Sequence, residues 1–319
     1  MNEAALRILA TDTLKWIARN EQVNNHIRHS NELYPLLFRA AQRFITGETR
    51  EDAVTEALKL IWKGYSVSLE CIGENIVDEQ ACIVAKNEFI QLIRLAGNAR
   101  LETTISLDLS HIGMIVDKEL AYDHLIELTR EAALHGLTIM ISAEESTKTD
   151  QIIGLYKRVS GVYANVGITL QAHLYRTEQD LMDIEGYSGR VRIVKGAFQE
   201  SKEVAVPRSE ELSKRYLQLI EKLVISGRPV SIATHDKLII EEVRQRGYLK
   251  QPHVEVEMLY GIQPDLLKVL KAEGYRTRVY VPYGKEWHLY FCHRLAEYPP
   301  NIYRALADMV SPSKEENLY

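Results

Sequence analysis

Two hydrophobic periods alternate along most of this chain. Short apolar runs of strand length recur at Tyr65–Ile72, Thr103–Leu109, Leu137–Ala143, Val166–Leu174, Arg190–Ala197, Val230–Thr234, Val254–Tyr260 and Thr277–Pro282. Between them, helical spacing marks Lys118–Leu134, Thr149–Val159, Glu178–Ile184, Glu210–Ile225, Lys237–Arg246 and Pro264–Ala272. Several of these stretches end at a glycine suited to a C-cap, namely Gly136, Gly227 and Gly274. Ahead of the alternation, Leu6–Ala18 and Leu33–Ile45 read as helices, the second ending at Gly47. A third opens after Thr49, with Glu51 and Asp52 favourable to its dipole, and closes near Gly64. Eight strands alternating with helices predict an α/β fold, a (β/α)8 TIM-like barrel preceded by N-terminal helices. The expected division is 1–64 as a helical segment and 65–319 as the barrel, one domain overall. A doubly wound open sheet is the competing topology, but the strand count suits closure and no GxGxxG fingerprint occurs.

In such a barrel the carboxyl ends of the strands carry chemistry. The central stretch is VRIVKGAFQE, Val191 to Glu200, where four strand-like residues lead to Lys195, Gly196 and Ala197. On a regular strand Arg192 and Lys195 face opposite sides, so a bend near Gly196 is needed to aim both at one anionic ligand. A surface strand with solvated charges is the plainer reading. Other strand ends offer Gly73-Glu74, Asp108 and Ser110, Ser142 and Glu144, Gln171 and His173, Thr234-His235-Asp236, Glu257 and Leu259, and Tyr280 and Tyr283. The strand bodies read as apolar. After the last strand, Lys285–Glu297 is helical and puts Tyr290, His293, Arg294 and Glu297 on one face. Spacing alone makes that face an amphipathic one with a solvated Arg–Glu pair.

Composition narrows the classes. The 319 residues carry a formal charge of −5 and are 46% apolar, enough for a large core. No basic run offsets the acidity, so nucleic acid is not an expected partner. No apolar stretch reaches spanning length and no signal-peptide pattern opens the chain, which points to the cytoplasm with at most peripheral contact at the inner face of the membrane. The three cysteines lack paired spacing, in keeping with a reducing compartment, and the ten histidines lack metal-ligand spacing.

The strings GITLQAHLYRTEQDL (167–181), VRIVKGAF (191–198), ATHD (233–236), EMLYGIQP (257–264) and RVYVPYG (278–284), with the helix Tyr290–Glu297, resemble the proline dehydrogenase family of monofunctional bacterial enzymes. The resemblance runs in order from about Ile45 onward. It implies an FAD-dependent enzyme that oxidises the C–N bond of proline to pyrroline-5-carboxylate and passes electrons to a quinone or other acceptor. By motif, Gln171, Arg192, Lys195, Gly196, Ala197, Thr234 and His235 fall where the family binds flavin. Cations there raise the electron affinity of a flavin that becomes anionic on reduction.

The substrate positions that the resemblance implies are altered. Asp108 stands where the family has a lysine, Ser142 where it has an aspartate, Phe198 for a tyrosine and His293 for the first of two arginines. Ala197, Leu259, Tyr280, Tyr290 and Arg294 are retained, and Glu74 is placed to gate the pocket with His293. The family quartet sums to +2, whereas Asp108, Ser142, neutral His293 and Arg294 sum to zero. Losing two charge-assisted bonds to a carboxylate weakens proline binding by about 10²–10⁴-fold. The expectation is therefore an FAD-dependent dehydrogenase of proline or a proline-like cyclic or secondary amine. In that reading Arg294 meets an acidic group, Tyr280 and Tyr290 shape the pocket and Leu259 packs on the ring. The alternative is a flavin-binding relative that has lost the activity and serves as a redox or interaction module.

Overall fold

The computed structural model describes residues 3–298, 300–310 and 318–319. Four helices open the chain: α1 (Glu3–Arg19), α2 (Glu21–His29), α3 (Leu33–Ala41) and α4 (Arg50–Trp62). The alternation then runs β1 (Ser66–Cys71), α5 (Glu79–Asn98), β2 (Thr103–Leu107), α6 (Lys118–Leu134), β3 (Thr138–Ile141), α7 (Thr149–Ser160), β4 (Val166–Gln171) and α8 (Thr177–Asp183). It continues with β5 (Val191–Val194), α9 (Glu210–Ile225), β6 (Val230–Ala233), α10 (Lys237–Gln245), β7 (Val254–Leu259), α11 (Pro264–Ala272) and β8 (Thr277–Tyr283). Helices α12 (Trp287–Glu297) and α13 (Pro300–Val310) follow. All strand pairs are parallel, and β8 pairs with β1 to close the barrel. No described helix is long and apolar enough to cross a membrane.

Alternation along each strand sorts the side chains. Val67, Leu69, Ile105, Leu107, Ile139, Ile141, Ile168, Val191, Ile193, Val230, Ile232, Val254, Val256, Val279 and Val281 face outward into one continuous core with the surrounding helices. The opposite parity carries Ser68, Ser106, Thr169, Arg192, Ser231, Glu255, Glu257 and Arg278, all buried inside the barrel. The strand bodies are thus apolar on one face only, which corrects the expectation of wholly apolar strands. Buried charge is costly unless paired, and here it is paired. Arg278 Nε meets Glu255 Oε1 at 2.7 Å, and Arg190 adds a second contact to the same oxygen at 3.1 Å. Burial pushes the Glu255 carboxyl up, but Arg278 and Arg190 outweigh it and hold the group at about 2.

The helical elements depart from the sequence reading at four helices. Helix α5 was not foreseen, because its buried face mixes Cys82, Ala85 and Ala96 with Phe89, Leu92 and Ile93 and so blurs the periodicity. Its start is nevertheless marked by Asp78, whose Oδ1 accepts from Ala81 N at 2.8 Å. Helix α3 ends at Ala41, short of the expected Ile45. Residues after it pair with the end of β8 instead, Thr46 N donating to Pro282 O at 3.1 Å. Helices α2 and α13 were also not foreseen. The start of α4 was, and Thr49 and Asp52 form a reciprocal capping box there.

The closing turn of the barrel is irregular. Helix α4 packs against β1 and β8, filling the shell position that a helix after β8 would take. Helix α12 packs on α1 and α3 instead. A second apolar cluster, with Ala40, Phe44, Ile45, Ile72, Trp287 and Phe291, holds these helices over the carboxyl end of the barrel. At Gly261 (φ +74°) a Cβ would lie 1.8 Å from Arg43 O, so only glycine lets the chain after β7 meet this N-terminal segment.

Candidate active site

A cavity of about 1070 Å³ opens at the carboxyl end of the barrel, with α12 as one wall. Thirteen residues assigned in the sequence to cofactor or substrate line it: Asp108, Ser142, Gln171, Arg192, Lys195, Gly196, Ala197, Thr234, His235, Leu259, Tyr280, Tyr290 and Arg294. Phe198 lines it too. His293 does not. Neighbouring residues on a helix point about 100° apart, and Arg294 is the one aimed inward. Of the neighbouring pair His293 and Arg294, only Arg294 lines the cavity.

The floor is an ion pair. Arg192 Nε and Nη2 reach the Glu257 carboxylate at 2.7 and 2.8 Å, and Nη2 also reaches Ser106 Oγ at 3.0 Å. Its guanidinium carbon lies 4.9 Å from the centroid of the Tyr280 ring. The plainer reading of solvated strand charges is overturned, since Arg192 is buried. Lys195 turns to the other side, as strand alternation requires. Its Nζ donates to Asp236 Oδ2 at 2.6 Å and Ser213 Oγ at 3.0 Å. An ammonium has three donors, so one remains for an incoming anion. The bend is real: Gly196 has φ +111°, and a Cβ there would fall 1.3 Å from His173 Nδ1.

Two carboxyls stand above that floor. Glu70, on the inward parity of β1, is pushed up to about 7 by burial, against the pull of its hydrogen bond with Tyr280 and of Arg192 and Arg294. Asp108 is raised well above the carboxylate range by burial and then by Glu144, Glu70 and Glu74, with a hydrogen bond to Ser142 opposing. Glu144 itself is tied to Lys148 Nζ at 2.8 Å and to Ser110 N at 3.0 Å. Glu70 was missed in the sequence. Its signal was an acid two residues after Ser68, on the face of β1 away from Val67 and Leu69.

The wall and rim complete the site. Arg294 pairs with Glu297 at 2.7 Å and sits 4.8 Å from the centroid of the Tyr290 ring. Its Nε and the Tyr290 Oη are buried polar atoms without a hydrogen-bond partner, which is the expected state of groups that await a ligand. The amphipathic-helix reading is therefore right for Glu297 and wrong for Arg294. His235 Nε2 accepts from Leu259 N at 3.0 Å, leaving its proton on Nδ1. Burial, then Arg294, lowers its pKa to about 3, so it stays neutral. Gln171 is buried with Nε2 donating to Glu144 O at 2.8 Å.

These residues fit a flavin nucleotide. The cavity is at the upper end of the size range for small-molecule pockets. Gly196 lets the backbone close against the His173 ring, while Lys195 and Arg208 bring cations to the rim for an anionic group. Among the described residues no group of three or more His, Cys, Asp or Glu is arranged to hold a metal ion.

The family model described as proline dehydrogenase matches residues 53–297. Among curated relatives, proline dehydrogenase 2 of Bacillus subtilis (strain 168) is 32% identical over 273 residues, covering 85% of this chain and 90% of the relative. The proline dehydrogenase of Deinococcus radiodurans is 33% identical over 274 residues, covering 83% and 88%. Of solved structures, proline utilization A from Bdellovibrio bacteriovorus superposes with a TM-score of 0.77 at 17% identity, over 96% of this chain and 40% of that one. The likeness to that larger protein concerns the fold.

Proposed function

This chain belongs to the proline dehydrogenase family, and on that premise we propose that the cavity at its barrel mouth oxidises the CH–NH bond of proline or a proline-like cyclic or secondary amine. It is an oxidoreductase of the CH–NH class. The observation that carries the reading is the convergence of both motif sets, cofactor and substrate, on one cavity walled by α12. Bound FAD would supply the acceptor for the electron pair. Gln171, Arg192, Lys195, Gly196, Ala197, Thr234 and His235 would hold it, Lys195 with its remaining donor and His235 with its Nδ1 proton. Arg192 keeps a fixed orientation through Glu257, which also offsets much of its charge.

On the substrate side, Tyr280 and Tyr290 shape the space and Leu259 packs against an apolar ring. Arg294 faces the substrate with an unspent Nε donor. Asp108 and Ser142, which stand where the family pattern has a lysine and an aspartate, both line the cavity. A quinone is the proposed final acceptor, reached at most through peripheral contact with the inner face of the membrane. Anaerobic titration of the yellow protein with proline, hydroxyproline, pipecolate and pyrrolidine tests the proposal. The flavin band should bleach with at least one of them, and Arg294→Ala should lower kcat/KM by about tenfold or more. Bleaching by dithionite but by none of the amines would overturn it.

A further inference from the structure

Behind the cavity wall, on the side of β1 to β4, one polar cluster joins four strand ends. Its centre is Glu144, a buried carboxylate just past the end of β3. Glu144 Oε1 accepts from Ser110 N at 3.0 Å, Oε2 accepts from Lys148 Nζ at 2.8 Å, and the backbone oxygen accepts from Gln171 Nε2 at 2.8 Å. Lys148, in the turn before α7, spends its other donors on Glu145 Oε2 at 2.8 Å and Asn75 Oδ1 at 2.5 Å. Asn75 N in turn donates to Ser110 Oγ at 3.0 Å. Asn75, Ser110, Glu144 and Lys148 all stay outside the cavity lining. Two of them nevertheless follow closely on residues that form it, Ser110 on Asp108 and Glu144 on Ser142. The ladder pairs Leu107 with Ile141, so the bond from Ser110 to Glu144 extends that register past Asp108 and Ser142.

Resting on the CH–NH oxidoreductase reading, we propose that Lys148 is a positioning residue for the substrate. Through Glu144 and Asn75 it ties together the loops after β1, β2 and β3, and so fixes where Asp108 and Ser142 stand in the pocket. A compact ammonium suits the task, because its donors reach acceptors from two separate loops at once. A wall displaced by about 1 Å weakens binding and turnover although no group that touches the ligand has been removed. The node joins loops at the mouth and lies apart from the apolar core between strands and helices. Breaking it should therefore loosen the mouth and spare the barrel. Gln171 bonds to a backbone oxygen of the node, which a change at Lys148 leaves in place.

Binding and turnover are read separately. Cyclopentanecarboxylate keeps a ring and a carboxylate but has no C–N bond to oxidise, and perturbation of the flavin band in the FAD-loaded protein gives its dissociation constant. Lys148→Met should raise that constant and the KM for proline by about fivefold or more, with a smaller change in kcat and full flavin content. Lys148→Arg, which keeps the charge and the donors, should recover most of the affinity. Asn75 has φ +57°, a conformation that glycine adopts freely, so Asn75→Gly removes one acceptor without straining the backbone. It should raise the constant about two- to threefold, and adding it to Lys148→Met should change little further, since both act along one path. A lower Tm for Lys148→Met, with affinity within about twofold of the wild type, would overturn the proposal, because the node would then serve stability alone. If that variant does not fold, an unchanged constant in Asn75→Gly overturns it equally. Bleaching by proline with one KM in the wild type and both variants would sink the proposal and leave the oxidoreductase reading intact. Weakened cyclopentanecarboxylate binding in the variants, with no bleaching by any amine, would do the reverse.

Discussion

Glu70 shows how one side chain can set the pH behaviour of this site. Burial raises its pKa to about 7, Glu74 adds to the rise, and Tyr280, Arg192 and Arg294 oppose it. Its folded value lies above its ordinary one, so it favours folding most below its ordinary pKa, and that contribution is lost as pH rises through about 7. Glu70→Gln should therefore flatten the decline of Tm between about pH 5 and 7.5, measured by thermal melts across that range. A variant whose profile parallels the wild type would show that Glu70 does not titrate there. Residues such as Gln171, Arg192 and Arg294 were legible in the sequence because they sit inside strings with a recognisable order. Glu70 and the Glu257 partnership were not, because inward parity becomes meaningful only once the barrel is known to be filled with polar groups. That His293 lies off the cavity lining was hidden for a related reason: spacing places residues on one side of a helix but does not say which edge of it meets the cavity.

At the level of elements, β5 and β7 are joined across the barrel by Arg192 and Glu257 as well as by ladder bonds through β6. Removing one partner of a buried pair leaves the other charge uncompensated, which costs about 3–5 kcal/mol. Glu257→Ala should show a loss of that order in urea unfolding, and Glu257→Gln a smaller one because it still accepts a hydrogen bond. A loss below about 1 kcal/mol for the alanine variant would mean that water replaces the carboxylate. The loop after β5 makes a separate prediction. Gly196 has both a left-handed φ and no room for a Cβ, so Gly196→Ala should lower flavin content per chain, read from the ratio of flavin to protein absorbance, with the far-UV spectrum kept. Full flavin occupancy would show that His173 moves aside. Strand cores and the helices α6, α9 and α11 were legible to the residue because their apolar periods are clean and end at caps. Strand ends were read too long, as at Val166–Leu174 and Arg190–Ala197, since the residues past Gln171 and Val194 leave the ladder to build the site.

For the whole molecule, closure of the barrel was readable from eight repeats, whereas the placement of its last helices was not. Periodicity identifies a helix in Lys285–Glu297 but says nothing about whether it covers the shell or crosses the mouth. Here the shell position is taken by α4, and α12 is held at the mouth by α1, α3 and α13. Arg43, just after α3, fastens this assembly through two bonds to the buried Asp308 of α13, at 2.5 and 2.8 Å. The wall that carries Tyr290 and Arg294 thus depends on segments from both ends of the chain, while the floor depends on the strands. Arg43→Ala takes the guanidinium from a buried carboxylate, a local loss of about 1–3 kcal/mol. Because α12 and α13 pack mainly on other helices of the cap, that loss should appear as local opening and leave the barrel largely protected. Hydrogen exchange resolved by segment should then show faster exchange across 287–310 in the variant and unchanged protection in β1 through β8. Affinity for proline, read from bleaching of the flavin band, should fall, since the wall is less often in place, while flavin content, set mainly by strand ends, should hold. Equal acceleration in wall and strands would mean that the cap and the barrel open as a single unit.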